Sequence, residues 1–269
     1  RPVDDLTQPE VDNLLDTSEG LICWTVGRTC VFQRRQRVRD AGILSSLTAD
    51  ARRGLWAYGV AHVGHFVDQF VKDKTLRDRA QNFGFDTMNV LYSLLHGVGG
   101  ITLLAPDKTI DYRNTPPSAR YAFTFWAFPR GQWLSTLRAY LEFADEHFKA
   151  TGFRCNMPLG AYHIRQDSSS ILSYTSDGEI MSIDPIHAGS DDPGWADFLR
   201  KFNEFAFERN GIPLLNQSPF IQRKHVEAAY GQHWRDFTHW VRSVDPRGRM
   251  LNPFFADLLA QEQAASTAA

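Results

Sequence analysis

The sequence predicts an α+β fold: a ferredoxin-like split βαβ antiparallel sheet with its helices on one face, preceded by a mostly helical region. Three observations predict it. From Ile110 onward, β-rich runs and helical patterns follow in the order strand, helix, strand, strand, helix, strand. Both helical patterns carry apolar stripes at three- and four-residue spacing. Asp177-Gly178, a hairpin dipeptide, sits between the two middle strands. Two βαβ-like halves in that order close most simply as a split sheet.

The elements follow in chain order. Residues 1–109 read mainly as helices. Asp4 or Thr7 can cap the first, and Thr48 another. Leu55, Tyr58, His62, His65, Phe66 and Phe70 recur at helical spacing. His62 and His65 share a helix face, a spacing that suits a metal, but no acidic or sulfur ligand supports them nearby. The plainer reading is one core and one surface histidine.

Tyr121–Ala127 reads as a strand, and Pro129 opens a helix with Trp133 or Leu134, Leu137, Leu141, Ala144 and Phe148 along its stripe. Gly152 stands where a left-handed helix end is expected. Phe153 onward turns extended, through Tyr162 to Asp167. Ser170–Thr175 reads as a further extended run, and Glu179–His187 pairs back after the hairpin signal. The second helix starts at Asp191-Asp192-Pro193-Gly194, with the stripe Trp195, Phe198, Phe202 and Phe205, and Gly211 stops it. Ile212–Leu215 is the last strand. These elements make an α+β unit over residues 110–222. Residues 223–260 hold a closing helix, with Trp234, Phe237 and Val241 on one face, and a patterned turn from Asp245 to Pro253. Residues 261–269 are expected to be a disordered tail.

Composition bounds the function. The 269 residues are 43% hydrophobic and 13% aromatic, enough for a real core. A net charge of −2 gives no general attraction to nucleic acid. The basic run Arg34 to Arg39 reads as a solvated helix face. Cys23, Cys30 and Cys155 form neither a disulfide framework nor a metal spacing; one Cys23–Cys30 bridge or free buried thiols both fit. The longest apolar run, Leu91–Ala105, is too short to span a bilayer. No signal peptide is visible, and a start at Arg1 gives the expectation that something upstream has been removed.

The stretch Gly211–Leu259 carries a resemblance. A strand and the turn Asn216-Gln217-Ser218-Pro219 lead into a helix, and the chain closes on Asp245-Pro246-Arg247-Gly248-Arg249-Met250-Leu251-Asn252. It resembles the C-terminus of vanillyl-alcohol-oxidase-type FAD-linked oxidases, nearest the sugar-lactone and alditol oxidase branch. The split βαβ order before it resembles their cap, or substrate, domain, so the likeness covers roughly residues 110–259. It implies an FAD-dependent oxidase or dehydrogenase that passes hydride from an alcohol carbon of a sugar-like or lactone-like molecule to flavin. Residues 1–109 match nothing in the family and would be an enlarged cap insertion.

Site residues follow from alternation and from the resemblance together. His163, Arg165 and Asp167 share one face of their strand, and Tyr162, Ile164 and Gln166 the other. An exposed edge with solvated charges explains the first set as well as a polar strip facing a cavity does. In alditol-oxidase-like enzymes this strand carries Glu-x-Arg toward the flavin; here the matching positions are His163 and Arg165. Arg165 would stabilise negative charge as hydride leaves, and His163 or His187 would accept the hydroxyl proton. The family's His-Trp-Gly-Lys turn corresponds to the turn at Asn216, with Gln217 about where the lysine would stand. Asn216 and Gln217 would orient the flavin or substrate, or simply form a polar turn before a helix capped by Ser218. Arg249 and Asn252 would support the junction with the flavin domain.

No glycine-rich FAD loop, nucleophile elbow, P-loop or zinc motif is present in the sequence. The FAD domain is therefore expected on a second polypeptide, a separate subunit or the other part of a cut precursor. The rival reading is a non-catalytic binding or assembly subunit on the same scaffold.

Overall fold

The structure, a computed structural model, describes residues 1–37, 67, 70–98, 121–188 and 193–267. His62, His65 and Thr48 lie outside them. The chain is α+β, as the sequence predicts. Its main sheet has six strands: β1 (Gly20–Val26), β2 (Thr29–Arg35), β4 (Trp126–Pro129), β5 (Leu159–Ile164), β6 (Ile180–Ile183) and β8 (Ile212–Pro213). Their order is β2-β1-β5-β6-β4-β8, and every neighbouring pair is antiparallel. Two further strands, β3 (Tyr121–Phe123) and β7 (Ile186–Ala188), pair separately. The helices are α1 (Gln8–Asp16), α2 (Lys74–Val98), α3 (Trp133–Thr151), α4 (Pro193–Phe207), α5 (Arg223–Val244) and α6 (Pro253–Thr267). Thus β4 and β5, joined through α3, are held apart by β6. β6 and β8, joined through α4, are held apart by β4.

This sheet is larger than the four strands expected, because residues 20–35 are a hairpin and not part of a helical region. Gly20–Val26 is a run of apolar and β-branched residues. Gly27, at φ 54°, supplies the left-handed turn residue that lets Val26 pair with Thr29. β1 then continues the sheet through β5, with Trp24 opposite Gly160. Arg34 and Arg35 of the basic run lie on this hairpin, and Arg34 donates to Ser18 Oγ at 3.1 Å. Cys23 and Cys30 are free and buried on it, bridged by the Thr25 hydroxyl rather than by a disulfide.

The first face of the sheet carries the main core. Leu21 and Cys23 of β1, Leu159 and Ala161 of β5, Met181 and Ile183 of β6, and Trp126 and Phe128 of β4 all belong to it. α1, α3 and α4 contribute the side chains packed on them. The expected stripe of α4 is a stacked ladder, with Trp195–Phe198, Phe198–Phe202 and Phe202–Phe205 ring centroids 5.8, 6.0 and 5.9 Å apart. Truncating such a fully buried phenylalanine costs about 3–5 kcal/mol. On α3, Trp133, Leu134 and Leu137 are buried but Phe148 is exposed, so the stripe ends a turn early. Gly152 closes α3 at φ 74°, its N–H donating to Phe148 O at 2.8 Å. Gly211 must be glycine for another reason: a Cβ there would lie 2.8 Å from Phe128 and 2.9 Å from the Ala206 carbonyl.

The helices are not all on one face. Phe85 of α2 packs with Met157, Ile186, Trp24 and Met88 against the second face. Residues 170–175, expected to be extended, form turns instead. The chain end differs too. α6 runs through Thr267, and its alanines are strong helix formers. Asn252 starts it, with Oδ1 accepting the Phe255 N–H at 2.9 Å. Between α5 and α6, the Asp245 carboxylate accepts the Arg249 and Met250 N–H groups at 3.0 and 2.6 Å. The patterned turn is therefore a built one.

Candidate functional site

The sequence-predicted residues are spread over the molecule. His163 lies on the helix-bearing face of β5, its side chain 4% exposed, with Nε2 3.3 Å from Glu179 Oε2. Glu179 is 3.2 Å from Arg130 Nη1, and Arg130 is tied to Asp12 at 2.9 Å and Asp16 at 2.7 Å. Those three carboxylates hold the Arg130 guanidinium protonated far above neutrality. His163 thus joins a polar fastening between α1 and the sheet. Arg165 follows the last residue of β5 and is exposed, with no side-chain partner among the described residues. His187 is buried between Phe153 and Trp195, with ring centroids 4.8 and 5.6 Å away. His163 pairs across the sheet with Met181. At roughly 3.3 Å per residue, His187 is on the order of 20 Å further along. The two histidines do not share a site.

The turn at Asn216 follows β8, the edge strand three places from β5. Ser218 does not cap α5. Its hydroxyl donates to Phe125 O at 2.5 Å, while the buried Asn203 donates to Pro219 O at 2.9 Å and accepts the Trp126 indole N–H at 3.0 Å. The α5 cap is Gln222, whose N–H donates to His225 Nδ1 at 3.0 Å. Burial lowers the pKa of His225 and keeps that acceptor neutral; Glu204, 3.2 Å from Nε2, opposes the shift in part. Asn216 is exposed and Gln217 half-buried, so both amides can meet an outside group.

The fit to FAD is partial. Arg165 and Arg249 are exposed, and neither guanidinium has a partner among the described residues, which suits an anionic group brought from outside. Asn252 is engaged as the α6 cap, which leaves only its amide NH2 for a junction. No group of acidic, histidine and cysteine side chains among the described residues is arranged for a metal.

α1, α3 and α4 fill the first face of the sheet, and α2 covers part of the second, which is the Tyr162 and Ile164 side of β5. The sequence reading placed the chemistry on the side of His163 and Arg165. Across this face, in register, run Trp24, Gly160 and Asp184. Phe125 lies beside Asp184, because Trp126 pairs with Ile183. Asp184 is 3% exposed, and its Oδ1 has no hydrogen-bond partner among the described residues. Burial drives its carboxyl well above the ordinary carboxylate range, against a smaller opposing hydrogen bond from Ser182. A Cβ on Gly160 would stand 3.6 Å from both Asp184 Oδ2 and Trp24, so glycine leaves a dent between acid and indole. Tyr162 meets the Trp24 ring edge-on at 6.4 Å. Tyr174 packs edge-on against Phe125 at 5.6 Å. Burial raises the Tyr174 phenol pKa first, and the charge of Asp184 adds to it. In its protonated form, which burial favours, such an acid can both donate and accept a hydrogen bond. Sequence reasoning missed it, because Asp184 falls inside the Glu179–His187 run read as one extended segment; its place between β6 and β7, opposite Gly160, is what buries it.

A separate open groove of about 710 Å³ lies between α3 and α4. Glu142 and Glu146 line one wall, Arg200, Lys201 and Arg209 the other, over Phe143 and Phe205. None of the predicted site residues lines it. No protein-family model and no curated protein sequence matches the chain.

Proposed function

We propose that this chain is the cap and C-terminal portion of an FAD-dependent oxidoreductase that oxidises an alcohol carbon of a sugar-like or lactone-like substrate. The FAD domain is on another polypeptide. What carries the reading is element order: β4, α3, β5, β6, α4, β8, a fastened turn, α5, and the Asp245 turn follow one another as the resemblance implies. Bound FAD would supply the hydride acceptor. Arg165 contributes positive charge at the end of β5, free to stabilise an oxygen or reduced ring that becomes negative. Asn216 and Gln217 orient by hydrogen bonding, and Arg249 supports the junction with the partner. His163 is engaged by Glu179 and His187 is enclosed by aromatic rings, so Arg165 is the exposed group of the three.

The test uses the assembled flavoprotein. Adding substrate under anaerobic conditions should bleach the flavin, and Arg165→Ala should slow bleaching at least tenfold while leaving the thermal midpoint within a degree or two. Equal loss of rate and stability would make Arg165 structural. The second reading, a non-catalytic assembly subunit, is favoured by the exposed apolar stripe Leu76, Phe83, Val90 and Leu94 on α2. Under that reading no substrate bleaches a flavin in any complex containing this chain.

A further inference from the structure

The groove between α3 and α4 has an aromatic floor, where Phe143 and Phe205 stack with centroids 4.9 Å apart. Its two walls differ in charge. On α3, Glu142 and Glu146 stand about one turn apart, both exposed, and neither forms an ion pair among the described residues. On α4 the charges are balanced locally, with one exception. Lys201 is paired with Asp197 at 2.9 Å, Glu204 with Lys224 at 2.7 Å, and Arg209 with Glu208 at 3.9 Å. Arg200 is the exception: it is exposed, forms no ion pair among the described residues, and lies over the Phe220 ring at 4.3 Å. Phe220, at the rim, is 46% exposed and sits at φ 61°. Positive φ strains a bulky side chain, and the neighbours enforce it here: Asn203 holds Pro219 O, and Ile221 is buried. The ring belongs to none of the core clusters. One face therefore carries an aromatic knob and an aromatic-floored groove, an unpaired base and two unpaired acids.

We infer that this face docks a second copy of the chain about a two-fold axis, with Glu142 and Glu146 of each copy meeting Arg200 of the other and Phe220 of each entering the other's groove. A two-fold interface sets one patch against itself, so every feature must find its complement on the same face. This face supplies both halves of each pair, acid with base and groove with knob. A partner of different sequence needs only one half of each, and a patch of single sign would repel its own copy. Arginine and exposed aromatic rings are also the side chains that most often carry association. α2 packs on the opposite face of the sheet, so its apolar stripe is left for a different chain. The inference goes beyond the proposed reaction and does not rest on it.

The test is sedimentation velocity of the natively isolated protein, with whatever polypeptide copurifies, to count the copies of this chain in each particle. Two are expected, and raised salt should weaken their association at least tenfold. Arg200→Glu, and separately Glu142→Arg combined with Glu146→Arg, should each give particles with one copy. Mixed together, the two variants should form a particle holding one of each, because every reversed charge then faces its opposite. Recovery on mixing also shows that both are folded. Phe220→Gly removes the ring and suits the positive φ, so it should give one copy while keeping or raising the urea midpoint of the single chain. One copy in the parent, an unchanged Arg200→Glu particle, or variants that stay apart on mixing overturns the inference. A parent with one copy that loses a different polypeptide on Arg200→Glu overturns it too, and gives the groove to that polypeptide. The readout needs no flavin, so a complex that bleaches with substrate but holds one copy keeps the proposed reaction and loses only this interface.

Discussion

Asp184 shows how one residue can oppose the fold that holds it. Its folded pKa is raised by burial, so stability is greatest below the unfolded carboxylate value, near 3.9, and falls as pH rises through the folded value. Asp184→Asn removes that proton linkage while keeping size and hydrogen-bonding groups. Urea unfolding of the two proteins should agree at pH 4. It should separate in favour of the variant at pH 8, by on the order of 1–3 kcal/mol. A gap that is constant with pH would mean that Asp184 is ionised in the fold. Nothing in the sequence marked this residue. Asp184 falls inside a run read as one extended segment, and only pairing with Gly160 encloses it. His163 is the converse case. Its alternation with Arg165 was visible, but the carboxylate beside it, Glu179, comes from the facing strand's entry. Strand alternation separates two faces; which one meets a core depends on where the helices pack.

At the scale of elements, periodicity served well where the aromatic spacing was strong. The stripe of α4 and the glycine ends of α3 and α4 were readable because Trp195, Phe198, Phe202 and Phe205 leave no other register. The turn after β8 was readable as a turn but not in its fastening. Ser218 reaches back to Phe125 and Asn203 spans from Trp126 to Pro219, contacts of long sequence separation that no local pattern contains. Asn203→Ala should therefore leave the Trp126 indole N–H unsatisfied and release the turn. Equilibrium unfolding should show a loss of about 2–3 kcal/mol, with hydrogen exchange quickened at residues 216–219. A loss below half of that, with exchange unchanged, would mean that Ser218 alone fastens the turn. The hairpin β1–β2 was within reach of sequence reasoning: Leu21 to Val26 and Gly27 carry strand and turn signals. The helical patterns around them drew the whole region into one class.

The described residues are built on one main sheet with unequal faces. The face under α1, α3 and α4 is a packed core. The other is partly covered by α2 and the 165–178 loop and carries polar groups. The exposed apolar stripe of α2, with the exposed Arg165 and Arg249, is the surface that the proposed partner chain would meet. The central claim is that this chain works against a flavin held elsewhere. Its most direct test is a visible absorption spectrum of the natively isolated protein, with a denaturing gel of the same sample. The account predicts oxidised-flavin bands together with a second polypeptide. A colourless sample that runs as this chain alone and binds no FAD when the cofactor is added would contradict it.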